Sequence, residues 1–193
     1  MRLFIALELP ARVRAAATAV ARRLRQSGAD VKWVAEENLH VTLKFLGEVD
    51  PSRQGELTRA LEAACAGVAP LELQLGPVGA FPKPSRPQVI WLGLAGETQR
   101  LARLAGRVQE ALRPLGFEPE RRAFAAHLTL GRLRRRKGRR PPPAGLAREL
   151  AGCPAPEEPA FWADQVVLMR STLKPTGAVY RPVHQVTLSP AES

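Results

Sequence analysis

The chain has 193 residues, 45% of them hydrophobic and 24% charged, a balance that suits a globular fold and excludes a disordered chain. No apolar run approaches the roughly 18 residues a membrane span needs. Glu8 breaks the opening apolar stretch before it could act as a signal peptide, and two cysteines, Cys65 and Cys153, exclude a disulfide framework and a zinc knuckle. The expected compartment is therefore the reducing cytoplasm.

The net charge of +11 favours a polyanionic partner, nucleic acid first. It is localised. Residues 121–140 hold nine basic side chains and no acidic one, which accounts for most of the excess.

In chain order, FIALEL at 4–9 predicts a short apolar strand. Residues 10–28 predict a helix: Pro10 suits the start, Val13, Ala17, Val20 and Leu24 form one stripe, and Gly28 ends it. Residues 31–49 read as strand-like in their second part. A second helix is expected over 51–67, with Leu57, Leu61 and Ala64 on one face. LELQLGPVGAF at 71–81 alternates as a strand does, and a proline-rich loop follows at 81–87.

The order then repeats. VIWLGL at 89–94 matches FIALEL at an offset of 85, and a helix is expected over 97–116. AHLTLGRL at 126–133 matches LHVTLKFL at 39–46 at an offset of 87. A short helix is expected at 144–151, a strand at 164–173 and a last strand at 183–188. The near-constant offset indicates a duplicated unit with a pseudo-two-fold axis, and no linker divides it. The expectation is one bilobal domain over 1–193, with halves of roughly 1–82 and 83–193.

Two of the three histidines share a pattern: His40-Val41-Thr42-Leu43 and His127-Leu128-Thr129-Leu130. Two such hits among three histidines arise by chance about half a percent of the time at this threonine content. Strand alternation puts His40 and Thr42 on one face and Val41 and Leu43 on the other, and treats His127 and Thr129 likewise. One face can pack in a core while the other lines a cleft. Two imidazoles suit paired proton transfer, one as base and one as acid, and hydroxyls can hold non-bridging phosphoryl oxygens. No metal is expected, because no HExxH, CxxC or carboxylate cluster accompanies the histidines. No cofactor is expected either, since P-loop and GxGxxG motifs are absent.

The two HxT motifs resemble those of the two-histidine phosphoesterase superfamily. With NLHVTLKFLGEV at 38–49, RAFAAHLTLGRL at 122–133, LMRSTLKPTGAVY at 168–180 and RLFIALELP at the start, the chain is similar to the RNA 2′,3′-cyclic phosphodiesterase (2′-5′ RNA ligase) family. The resemblance implies an α+β fold of two pseudo-symmetric lobes. Each lobe is expected to be a mainly antiparallel sheet with helices outside, and the HxT strands to face a central cleft. It implies metal-independent hydrolysis of RNA 2′,3′-cyclic phosphate ends to 2′-phosphates, with reversible, ATP-independent 2′-5′ ligation. By position, His40 is then the proton donor to the leaving 3′ oxygen and His127 the proton acceptor that activates water. Thr42 and Thr129 hold phosphate oxygens. Two other readings stay open at this point: a phosphodiesterase for a small cyclic phosphate such as ADP-ribose cyclic phosphate, and a non-catalytic RNA-binding module.

Lys44 shares the parity of His40 and Thr42, so it faces the substrate or stands as a solvated edge lysine. The resemblance suggests a phosphate contact for Arg132, but simple alternation puts it opposite His127, so the strand must end or bulge there. Phe45 and Phe124 are read as core residues rather than base-stacking ones. Trp33, Trp91 and Trp162 are read as packing residues, and His184 as structural or surface. The basic loop 132–140, broken by Gly138 and followed by three prolines, is read as an arm that tracks an RNA backbone. The partner is thus RNA with 2′,3′-cyclic phosphate ends, no membrane is involved, and a monomer is the default.

If the arm meets RNA, changing Arg134, Arg135 and Arg136 together to alanine weakens RNA binding across sequences. It also flattens the slope of log affinity against log salt by about 1 for each phosphate that the arm no longer neutralises. A salt titration of oligonucleotide binding checks this, and an unchanged slope removes the arm.

Overall fold

The computed structural model describes residues 1–134, 144–175 and 177–190. Arg135–Arg140 of the basic run lie outside the described residues. The strands are β1 (Arg2–Leu7), β2 (Val31–Trp33), β3 (Val41–Glu48), β4 (Leu71–Phe81), β5 (Val89–Gly96), β6 (His127–Leu133), β7 (Phe161–Ala163), β8 (Gln165–Lys174) and β9 (Gly177–Thr187). The helices are α1 (Ala11–Arg25), α2 (Gln54–Cys65), α3 (Thr98–Leu112) and α4 (Ala144–Ala151). Sequence periodicity locates most of these. It misses the three-residue β7 and the first half of β9, and it leaves β2 unresolved.

Among the described residues, the nine strands join one antiparallel sheet in the order β7-β4-β5-β6-β3-β1-β8-β9, with β2 added on β6. The two ends of this sheet are not the two halves of the chain: β4 of the first half lies beside β5, and β8 and β9 of the second half lie beyond β1. The two ends meet where β3 lies beside β6, and the order outward is matched: β6, β5, β4 on one side and β3, β1, β8 on the other.

One face of the sheet carries the apolar set. Ile5 and Leu7, Val41 and Leu43, Ile90 and Leu92, Leu128 and Leu130 are buried, and α1, α2 and α3 lay their own buried stripes on the same core. The alternate residues form the other face, which includes Phe4, Ala6, His40, Thr42, Trp91, His127 and Thr129.

Alternation fails at equivalent positions of the two HxT strands, and a second time further along β3, where Leu3 pairs with Gly47 and Phe4 with Phe45. Ile5 pairs with Lys44 and Ala6 with Thr42, so Leu43 is an extra residue in β3. Ile90 pairs with Gly131 and Trp91 with Thr129, so Leu130 is an extra residue in β6. Each bulge reverses the faces beyond it. Lys44 therefore turns to the core side, against the parity expectation: it is 5% exposed and its Nζ donates to the Glu118 carbonyl at 2.6 Å. Phe45 turns the other way. It is 56% exposed and its ring lies 6.1 Å from that of Phe4, so it is not a core residue. In β6, Gly131 turns inward and Arg132 turns to the face of His127.

Gly131 has its own reason to lack a side chain. β2 crosses from the first half to pair with β6, and a Cβ at 131 would stand 2.6 Å from Val31 Cγ1.

The segment that leads into His127 is held from the first half. Lys44 binds the Glu118 carbonyl, Arg53 binds the Leu115 carbonyl at 2.7 Å, and Arg53 lies over the Phe117 ring. Replacing Lys44 with Met keeps most of the volume and removes the donor. The expected loss of stability is about 1–2 kcal/mol. It is read as a lower denaturant midpoint at unchanged slope, and an unchanged midpoint contradicts the tether.

Candidate active site

His40 immediately precedes β3 and His127 opens β6. Val41 pairs with Leu128 across these strands. In an antiparallel pair that register sets His40 across from Thr129 and Thr42 across from His127. The two HxT motifs thus form a crossed square of two imidazoles and two hydroxyls on the face away from the core.

Each imidazole is oriented in the same way. His40 Nδ1 donates to the Asn38 carbonyl at 2.7 Å, and His127 Nδ1 donates to the Ala125 carbonyl at 2.7 Å. With Nδ1 protonated by that bond, Nε2 of each neutral ring is free to accept a proton. His40 Nε2 lies 3.0 Å from Thr42 Oγ1, which donates to it when the ring is neutral.

The surroundings differ. The His40 ring packs on Phe4 at 4.8 Å and meets Tyr180 edge-on at 5.4 Å. His127 meets Phe81 edge-on at 5.2 Å and Trp91 at 6.3 Å. Burial pushes the His40 imidazolium below the ordinary histidine range. The hydrogen bond to Asn38 opposes that shift, and the nearby His127 adds to it.

Arg132 stands on the same face through the β6 bulge. Burial raises the Tyr180 phenol, and the charges of Arg132 and Arg2 oppose the rise. Tyr180 in turn touches His40. Arg132 is thus on the face of the two His/Thr pairs, whereas Lys44 is turned away from it.

Sequence reasoning left out Tyr180, Phe4, Phe81 and Asn38. Tyr180 is the only tyrosine of the chain and sits in the LMRSTLKPTGAVY stretch, the one signal that pointed to it. Asn38 fixes more than the His40 ring, because its Nδ2 donates to the Ala178 carbonyl at 2.9 Å and so ties the β8–β9 hairpin to the site. Trp91 packs, as expected, but against His127 on the open face. Trp33 and Phe124 pack partly against the core. Trp162 does not pack: it is 61% exposed on β7, whose short span leaves that face uncovered. His184 lies apart from the square, with Nε2 3.0 Å from Glu62 Oε1 of α2. Among the described residues no group of three or more His, Cys, Asp or Glu is placed to hold a metal ion.

The family model described as LigT like Phosphoesterase matches the chain twice, over residues 7–91 and 92–180. The chain is 35% identical to the RNA 2′,3′-cyclic phosphodiesterase of Aeropyrum pernix over 170 residues, which cover 85% of this chain and 92% of that one. It is 35% identical to the RNA 2′,3′-cyclic phosphodiesterase of Archaeoglobus fulgidus over 185 residues, 94% and 97% of the two chains. Its fold is similar to that of a Thermus thermophilus protein, with a TM-score of 0.80, 27% identity and full coverage of both chains. It is also similar to Escherichia coli LigT complexed with 3′-AMP, with a TM-score of 0.74, 25% identity and coverage of 97% and 98%.

The His40 environment has a direct readout. In the free protein its imidazole resonances titrate below the ordinary value near 6.5. Replacing His127 with Gln removes the repelling charge, so the His40 midpoint moves up. Proton NMR of the ring hydrogens checks both statements. A His40 midpoint at or above the ordinary value contradicts the burial argument.

Proposed function

The chain belongs to the LigT-like phosphoesterase family, and on that premise we propose that it hydrolyses RNA 2′,3′-cyclic phosphate ends to 2′-phosphates by paired imidazole catalysis. The crossed His/Thr square is the observation that carries the reading. It offers one Nε2 on each side of a phosphoryl group, as in-line displacement requires.

In this reading the cyclic phosphate sits over the square. His127 Nε2 takes a proton from water as the new O–P bond forms. The P–O3′ bond breaks, and His40 Nε2 gives its proton to O3′. Thr42 and Thr129 donate to the non-bridging oxygens, and Arg132 meets their growing charge. The assignment of His40 as acid is supported by its burial, which makes its protonated form the readier donor. A drier ring is also less often protonated in the free protein. The negative charge of a phosphodiester beside Nε2 offsets that by raising its proton affinity on binding. Phe45, open on the His40 side, offers a face on which the terminal base can stack. With a 5′-hydroxyl in place of water, the same forward steps form a 2′-5′ bond without ATP, and their reverse cleaves it.

The reading includes a monomer in the cytoplasm that needs no cofactor. Its free thiols, Cys65 and Cys153, fit a reducing compartment. No helix among the described residues is long and apolar enough to cross a membrane.

An oligonucleotide with a 2′,3′-cyclic phosphate end, incubated with the protein in EDTA, is expected to yield the 2′-phosphate. His40→Ala and His127→Ala are each expected to lower kcat by about 10²–10⁴. Product analysis by chromatography against 2′- and 3′-phosphate standards checks this. A 3′-phosphate product reverses the two roles, turnover that requires a divalent metal removes the mechanism, and binding without turnover favours an RNA-binding module.

A further inference from the structure

We propose that the groove beside Phe81 is a second nucleoside subsite, on the His127 side of the phosphate. It rests on the phosphodiesterase reading and adds to it a ligand for the nucleophile's side of the reaction.

The groove has a volume of about 390 Å³ and is lined by Phe81, Pro82, Gln88, Val89 and Arg122. That is enough for one nucleoside. It is continuous with the square at two points. Phe81 touches His127 edge-on at 5.2 Å, and Val89 is the backbone partner of Arg132.

Its lining has the chemistry of base recognition. Phe81 is 37% exposed, and the exposed phenylalanines of the described chain are Phe45, beside the Phe4 ring that packs on His40, and Phe81, against His127. A flat ring left open to water favours a flat partner. The Phe81 ring is backed at 5.2 Å by Trp91. Trp91 is itself laid against Gly79, where a Cβ would stand 2.2 Å from the indole. The platform is therefore rigid. Gln88 adds an amide that can pair with a base edge, and Arg122 adds a cation with no ion-pair partner among the described residues.

Position decides what the nucleoside does. Phe45 and Tyr180 lie by His40, the side of the leaving 3′ oxygen, so the nucleoside that bears the cyclic phosphate takes that side. The Phe81 groove lies by His127, where the attacking oxygen stands. A nucleoside seated there presents its 5′-hydroxyl in the place of water. The O5′–P bond then forms as P–O3′ breaks, the 5′-hydroxyl proton passes to His127, and His40 protonates O3′. No further reactant is needed, and the reverse step cleaves a 2′-5′ linkage.

The probe is a 2′-5′-linked dinucleoside monophosphate whose phosphate-bearing ribose lacks the 3′-hydroxyl, so that it cannot close to the cyclic phosphate. Its Kd on the full chain is compared by calorimetry with that of the matching nucleoside 2′-phosphate. Phe81→Ala is expected to weaken the dinucleoside about 5- to 100-fold and to leave the 2′-phosphate within about twofold. Arg122→Gln, at an exposed position, is expected to follow the same pattern with a smaller loss. Equal weakening of both ligands means that Phe81 acts only through His127, and overturns the subsite. So does dinucleoside binding that neither substitution changes. Turnover of a nucleoside 2′,3′-cyclic phosphate is followed separately. Its absence in the unaltered protein defeats the phosphodiesterase reading, while the binding comparison still decides the groove.

Discussion

Val41 and Leu128 face each other where the two halves of the sheet meet, and that register sets the whole site. Both residues are fully buried against the helices, so the register is fixed by the core as well as by the backbone. Side chains in a strand alternate faces, so a slip by one residue in either strand would send a histidine and a threonine into the apolar core and an apolar pair into the cleft. Apolar burial on the helix side thus enforces polar placement on the other. No separate device is needed to bring four polar groups from distant parts of the chain together.

The same alternation explains what the sequence made legible and where it stopped. His40, Thr42, His127 and Thr129 precede the bulges, so period-two reasoning places them correctly, and the duplicated motif shows that they belong together. Lys44, Phe45 and Arg132 follow the bulges. A bulge is an extra residue seen only in the pairing with a neighbouring strand, and neither Leu43 nor Leu130 differs in type from an ordinary core residue. Parity therefore predicts the wrong face for all three. The Arg132 case states the physics most directly, because a contact with the cleft was possible only if a bulge intervened, and one does. Tyr180 and Phe4 were out of reach for another reason. They come to His40 through strand neighbours β1, β8 and β9, and pairing of that kind leaves no local mark on the sequence.

The halves also hold each other's histidines. The segment before His40 runs through β2, which pairs with β6 of the second half, and Val34 N donates to the Leu130 carbonyl at 2.9 Å. The segment before His127 is tied to Lys44 and Arg53 of the first half. Each imidazole is therefore aimed by a carbonyl two residues upstream, in a stretch that the other half anchors. The two halves of the chain thus interlock around the two histidines even though the sequence reads as a repeat.

A duplicated scaffold would by itself give two equivalent imidazoles, and equivalent groups do not divide into acid and base. The backbone supplies the equivalence: the same carbonyl contact at the same distance fixes the same tautomer in both rings. The side chains on neighbouring strands remove it. Position 6 in β1 is Ala and its counterpart at 91 in β5 is Trp, while Tyr180 reaches only His40. One ring is sunk between Phe4 and Tyr180 and loses proton affinity to burial, and the other stands against the edges of Phe81 and Trp91. The difference between the two rings is thus a property of residues outside the two motifs. A chain can keep both HxT sequences intact and still change which imidazole is the drier, by exchanging the aromatic residues behind them.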